Sequence, residues 1–257
     1  MTFGEVAELY DRVRPSYPDA LVEDLIALSG ADSALEVGAG TGKATILFAK
    51  RGVSVLALEP NDEMATVARR NCAGYPAVSI RQVEFERFEP RGERFPLLYS
   101  AQAWHWVEPA DRYPRARAAL HEGGLLAAFW NQVEWGSCEL AGALREAYDR
   151  GGPLEAGSDW MDPRDSTDVA QRDWWLREIE HESDFGDPEV RAYRWIHDYS
   201  ADEYVALLRT HSSQLVRAAD KREALLGFIA EAIAAAGGRI RIPYVSQLCL
   251  ARATTRP

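Results

Sequence analysis

Ala34-Leu35-Glu36-Val37-Gly38-Ala39-Gly40-Thr41-Gly42-Lys43 passes from a short apolar run, through three alternating glycines, into a helical pattern. A buried strand that turns sharply into a helix is the crevice-forming unit of open α/β sheets. Glycine suits that turn because it bends tightly and leaves no side chain between the backbone and a ligand. A dinucleotide-binding turn, G-x-G-x-x-G, needs its third glycine where Lys43 stands. Here the pattern is E-x-G-x-G-x-G instead. The second apolar run, Val53 to Leu58, ends in Glu59. A carboxylate about twenty residues beyond such a turn can accept hydrogen bonds from both hydroxyls of a ribose.

The pattern repeats outward from that stretch. Pro18 marks a helix start, followed by Leu21, Val22, Leu25 and Leu28 at helical spacing. Helices are expected over Lys43–Lys50, Asp62–Cys72 and Pro109–Leu120, the last closed by Gly123-Gly124. Further strands are expected over Val78–Val83, Leu97–Ala101 and Leu125–Trp130. Near-continuous apolar strands alternating with helices imply a parallel sheet covered on both faces. After Asn131 the texture changes. Helices are expected over Cys138–Asp149, around Trp174-Trp175, over Ser200–Thr210 behind a serine cap, and over Ser213–Ala236. Strands are expected over Val190–His197 and Ile240–Ala251. The whole reads as one α/β domain over residues 1–257. It has a helical cover (1–30), a ligand-binding core (31–131), a helical insertion (132–189) and closing strands and helices (190–257).

Composition sets the boundaries. The chain has 257 residues, 47% hydrophobic and 27% charged, which is ordinary for a folded domain. A net charge of −11 opposes binding to nucleic acid or an anionic membrane, and Arg69-Arg70 and Lys221-Arg222 are only isolated basic pairs. Cys72, Cys138 and Cys249 are widely spaced, which suits inert thiols in a reducing compartment. No run is long and apolar enough to span a bilayer, and the polar start lacks a signal core. A cytoplasmic location is the expectation.

Two further stretches sharpen the reading. With the glycine turn and Glu59, Tyr10-Asp11-Arg12-Val13-Arg14-Pro15-Ser16-Tyr17-Pro18 and Ala101-Gln102-Ala103-Trp104-His105-Trp106 resemble the class I S-adenosylmethionine-dependent methyltransferases. The two stretches resemble in particular a small-molecule subfamily that includes methyltransferases similar to trans-aconitate methyltransferase. The resemblance implies a Rossmann-like seven-stranded, mostly parallel sheet with helices on both faces and a helical insertion. It implies S-adenosyl-L-methionine as cofactor, leaving S-adenosyl-L-homocysteine, and a small-molecule acceptor.

By the same resemblance, Glu36, Gly38, Ala39, Gly40, Thr41 and Gly42 would face the methionine part and Glu59 the ribose. Pro60, Asn61 and Met64 would border the adenosine, and Glu84 and Phe85 the adenine. Gln102 would lie beside the sulfonium, and Tyr10, Arg14 and Tyr17 would cover the cofactor. Ala39 replaces a cysteine common in this family, Pro96 an aspartate and Glu122 a proline.

Methyl transfer from a sulfonium needs alignment and exclusion of water. An alcohol or amine acceptor would also need a base. His105 has a suitable intrinsic pKa, though a cofactor-packing or hydrogen-bonded structural role is equally open. A carboxylate acceptor would need no base, and an arginine such as Arg14 would clamp it. Trp104, His105, Trp106 and Trp130 are the candidate acceptor pocket. Trp135, Trp174, Trp175 and Trp195 are further aromatics open to pocket or core roles.

No nucleophile elbow, HExxH, Asp-Pro-Pro-Tyr or acidic metal cluster is present in the sequence, so no metal site is expected. Two other functions stay open: a non-catalytic S-adenosylmethionine-binding protein, and a nicotinamide-dependent oxidoreductase, which Lys43 argues against.

Overall fold

The computed structural model describes residues 7–153, 161–164 and 174–254. The tail of the expected insertion's polar stretch, including Asp168, lies outside them. Seven strands form one sheet: β1 (Ser33–Val37), β2 (Ser54–Leu58), β3 (Val78–Arg81), β4 (Phe95–Ala101), β5 (Leu120–Val133), β6 (Glu189–Ser200) and β7 (Arg239–Arg252). Their order is β3-β2-β1-β4-β5-β7-β6. The first five pair in parallel, with Leu35 opposite both Leu56 and Leu98. This is the mostly parallel α/β sheet that the apolar runs imply.

Contacts group the chain into two compact units. One comprises Ser16–Asn131, Asp173–Tyr193 and Ser246–Pro257; the other comprises Met1–Pro15, Gln132–Arg172 and Arg194–Val245.

In the first unit, strand period sorts side chains to two faces. Ala34, Leu97, Tyr99, Leu125, Ala127 and Phe129 pack with Leu21 and Leu25 of α2 (Asp19–Ser29) and Phe48 of α3 (Lys43–Ala49). Leu35, Leu98, Leu126 and Ala128 pack with Tyr113 and Ala116 of α5 (Pro109–Ala119) and Trp175 of α7 (Trp174–Ile179). Each buried leucine contributes about 1.5–3 kcal/mol to the fold. Strands β1, β2, β4 and β5 therefore need apolar residues on both sides and show little polar alternation, whereas the edge strand β3 alternates. Helix α4 (Asp62–Asn71) begins with Asn61 as its N-cap, whose side chain accepts from the Met64 N–H at 2.9 Å.

The second unit is helical packing around α6 (Ala141–Arg150), α8 (Ala201–Arg209) and α10 (Ala219–Ala235). Leu144, Leu207, Leu208, Leu225, Ile229 and Ile233 share its core. Ser200 caps α8 in a full capping box with Glu203, as the serine suggested. In this unit α1 (Ala7–Val13) leads to Arg14, which donates to the side chain and carbonyl of Thr210.

Three expectations need correction. The helix expected over Ser213–Ala236 is broken into α9 (Ser212–Leu215) and α10. Between them the buried Arg217 donates to the carbonyls of Gly151 and Pro153, and Ala218 is extended. Those long-range bonds hold the break open. The pair Gly123-Gly124 does not close α5, because Leu120 is already extended and both glycines lie inside β5. A Cβ on Gly124 would come within 3.1 Å of the Phe95 carbonyl oxygen, so the glycine serves a close approach of strands beside a register shift. Pro18 occupies the N-cap of α2, one residue before the position expected.

Candidate functional site

The glycine turn is tied at both ends by hydrogen bonds to its backbone. The N–H groups of Gly38 and Ala39 both donate to the Leu58 carbonyl at 2.9 Å, and Ser100 donates to the Val37 carbonyl. Asn71 of α4 donates to the Thr41 carbonyl at 3.0 Å. Gly38 has φ 75°, and a Cβ there would fall 2.3 Å from the Ala103 Cβ. Only glycine fits. Gly40 has φ 57°, yet a Cβ there would meet nothing within 4 Å. The space beside it is open.

Glu59 completes this end. Its Oε2 accepts from the Gly40 N–H at 2.7 Å and its Oε1 from the Asn61 N–H at 2.9 Å. Burial raises its pKa, and the two N–H groups oppose that rise by stabilising the charge. Each oxygen retains acceptor capacity for one more donor.

Behind the turn lies Glu36, wholly buried. Its Oε2 accepts from Thr45 and Tyr99, while its Oε1 has no hydrogen-bond partner. Burial pushes its pKa up to about 7, against those two hydrogen bonds, and the nearby Glu59 adds to the rise. An open glycine face, a carboxylate fixed with acceptors to spare and an orphaned buried oxygen all fit a polar, partly cationic nucleoside.

The other end follows β4. Gln102 holds φ 61°, a left-handed conformation uncommon for a residue with a side chain. Its N–H donates to the Phe129 carbonyl, and its Nε2 reaches the Asn131 carbonyl at 3.4 Å. His105 accepts at Nδ1 from the Trp130 indole N–H at 3.2 Å, and its ring lies 4.9 Å from that of Trp106. The buried Arg112 supports this turn, donating to the carbonyls of Val107 and His105 and to Glu178 of α7 at 2.6 Å. Its guanidinium also lies over the Trp174 ring, which meets Trp130 edge-on. Part of the His105 ring is open to solvent. Loss of hydration over the rest, and then the Arg112 charge, hold its pKa down at about 4.

Residues 34–124 match a family model described as a methyltransferase domain. An uncharacterized methyltransferase of Mycobacterium tuberculosis is 36% identical over 146 residues, 57% of either chain. A Saccharomyces cerevisiae protein named as a probable S-adenosylmethionine-dependent methyltransferase is 26% identical over 158 residues, covering 55% of this chain and 50% of its own. The chain thus spans just over half the length of the first of these curated relatives. A solved structure from Anaeromyxobacter dehalogenans, provisionally described as a type II methyltransferase, superposes with a TM-score of 0.68 at 21% identity. That match covers 95% of this chain and 99% of the other.

Over residues 34–124 this chain is thus similar to a methyltransferase domain.

Not every residue expected at the site has the surroundings foreseen for it. Gly38, Ala39, Gly40, Thr41 and Gly42 form the turn, with Glu59, Pro60 and Asn61 following β2 and Met64 buried on α4. Phe85 is buried against Trp104, and the exposed Glu84 pairs with Arg87 at 2.9 Å. Trp104 is wholly buried between Phe85 and Tyr113, so it is core and offers no surface to an acceptor. Trp106 is 64% exposed. Tyr17 packs edge-on against Phe129 in the first unit; Tyr10 lies under the Arg14 guanidinium in the second.

Sequence reasoning missed Ala103, Arg112, Glu178 and Asn131 in the first unit. Buried Asn131 donates to the Ser16 carbonyl at 2.9 Å and accepts from Ser246. Its side-chain partners are more than a hundred residues distant in sequence, and no local pattern signals them. Among the described residues no helix is long and apolar enough to cross a membrane.

Proposed function

We propose that this chain transfers a methyl group from S-adenosylmethionine to a small organic molecule. The class implies that donor, and the yeast relative bears it in its name. The observation that carries the reading is Glu59, held by the N–H groups of Gly40 and Asn61 beside a glycine face that no protein atom fills. Glu59 would take the ribose hydroxyls. The turn Gly38–Gly42, with Glu36 beneath it, would hold the methionine end, where a cationic ammonium suits the buried carboxyl's orphaned oxygen. Asn61, Pro60 and Met64 would border the adenosine, Phe85 and Glu84 the adenine, and Gln102 the sulfonium.

The bound cofactor supplies a methyl group already activated as part of a sulfonium. The chain's own residues have the remaining tasks of aligning the acceptor in line and keeping water out. His105, Trp106 and Trp130 are the residues we assign to the acceptor.

Calorimetry tests the reading. S-adenosylmethionine and S-adenosylhomocysteine should bind and NADH should not. Glu59→Gln should weaken both nucleosides about 10- to 100-fold, the loss of hydrogen bonds to a charged group. Absence of binding, or an unchanged affinity in the variant, would overturn it.

A further inference from the structure

We propose that Trp130 is a positioning residue that locks His105 as a hydrogen-bond donor through Nε2, so that this site takes an acceptor whose nucleophilic atom has already lost its proton. The inference deepens the methyl-transfer reading and rests on it. It starts from a single contact with chemical consequences. The indole Nε1 can only donate, and it is aimed at Nδ1 of His105 at 3.2 Å. Nδ1 must therefore be bare, and the proton of the neutral ring sits on Nε2.

The surroundings keep the ring in that state. Among the described residues, the charged groups bonded to this turn or its end are Arg112 on α5, Glu178 on α7 paired with it, and Glu86, whose carboxylate accepts from the Glu108 N–H. The guanidinium donates to the backbone carbonyl of His105 itself, so a second positive charge on the imidazole would be opposed at close range. Reduced hydration opposes it further. Arg112 is also buried, and each of its three nitrogens already has a partner: Nε the Val107 carbonyl, the terminal nitrogens Glu178 and the His105 carbonyl. It is a support, not a ligand.

A base needs a free lone pair. Here the one bare nitrogen is occupied by an indole, and the other presents N–H. His105 consequently offers a donor to an oxygen and takes no proton from it.

The class of acceptor follows. A carboxylate, or a phenol or enol acidic enough to ionise in water, meets the N–H as an anion. The flanking indoles of Trp106 and Trp130 favour a planar apolar body. In the transfer a lone pair on the acceptor oxygen forms the new O–CH3 bond as the S–CH3 bond breaks. That bonding pair stays on sulfur, the sulfonium becomes a neutral thioether, and the acceptor's negative charge is consumed. No proton is released.

The test does not depend on turnover. Protein labelled with ¹⁵N-histidine, with His105 assigned by comparison with His105→Gln, should show bare Nδ1 and protonated Nε2 from roughly pH 5.5 to 8.5. Trp130→Phe should mix the tautomers and move the ring's protonation up toward its ordinary value. Benzoate should perturb the Nε2 signal, and benzylamine should not.

A protonated Nδ1 in the unmodified protein overturns the proposal even if Trp130→Phe fails to fold. So do an unchanged tautomer in a folded Trp130→Phe protein, and a response to benzylamine equal to that to benzoate or to neither probe. Loss of the methyl-transfer reading has a different signature, since S-adenosylmethionine would then fail to bind while the tautomer stayed as described.

Discussion

The turn at Gly38–Gly42 is made of backbone, whereas the turn at Trp104–Trp106 is held by side chains. In the first, main-chain N–H groups bind Leu58 and Glu59, and the residues that matter are those lacking a side chain. In the second, an indole orients an imidazole, and a buried guanidinium on α5 braces the turn against a carboxylate on α7. A backbone device accepts one ligand chemistry and tolerates little change. A side-chain device can be retuned by replacing its partners, which is what diversity of acceptors on one cofactor frame requires.

Three substitutions probe that contrast. Gly38→Val should have the largest effect. Its Cβ would overlap Ala103 in a backbone conformation unsuited to a branched residue, costing about 3 kcal/mol or more. Thermal unfolding should fall by many degrees and nucleoside binding should vanish. A folded variant with intact binding would show that the turn is less rigid than the contrast requires.

Glu36→Gln sharpens the backbone side through pH. The folded-state pKa of Glu36, about 7, lies above its ordinary value of 4.5, so between those values the native protein keeps a proton that the unfolded chain loses. That contribution is complete below about pH 4.5 and is lost as pH rises through about 7. Thermal midpoints of the unmodified protein should therefore decline over this window. Glu36→Gln should flatten the decline by about 3 kcal/mol, leaving the smaller slope from Glu59, whose pKa is also raised. An equally steep decline in the variant would place the slope elsewhere.

Glu178→Gln tests the side-chain end and should be mildest, about 1–2 kcal/mol, because solvent reaches Glu178 while Arg112 stays buried. Nucleoside affinity should hold within about twofold, and His105 signals should shift. Equal loss at both ends would erase the distinction.

The same contrast explains what the sequence disclosed. Alternating glycines, a carboxylate at the end of the next strand and near-continuous apolar runs are local signals, because backbone geometry restricts the residue that can occupy each place. The strands from β1 to β5 were readable for that reason. The role of Gly124 was not, since its reason includes the approach of Phe95, nearly thirty residues earlier. The break before α10 depends on Arg217 reaching back to Gly151 and Pro153. Asn131 and the pair Arg112–Glu178 are likewise defined by partners far along the chain, and a single asparagine or arginine looks the same whether it braces a site or faces water. The tautomer of His105 was beyond reach because it is set by one indole twenty-five residues away.

The exposure of Trp106 has a practical corollary. Among eight tryptophans it stands in water, where an indole emits at longer wavelength and is open to collision with dissolved quenchers. A planar compound arriving beside the imidazole would shield that ring and turn its emission toward the blue. The protein thus comes with an optical gauge at the proposed acceptor region, ready for screening compounds without a label.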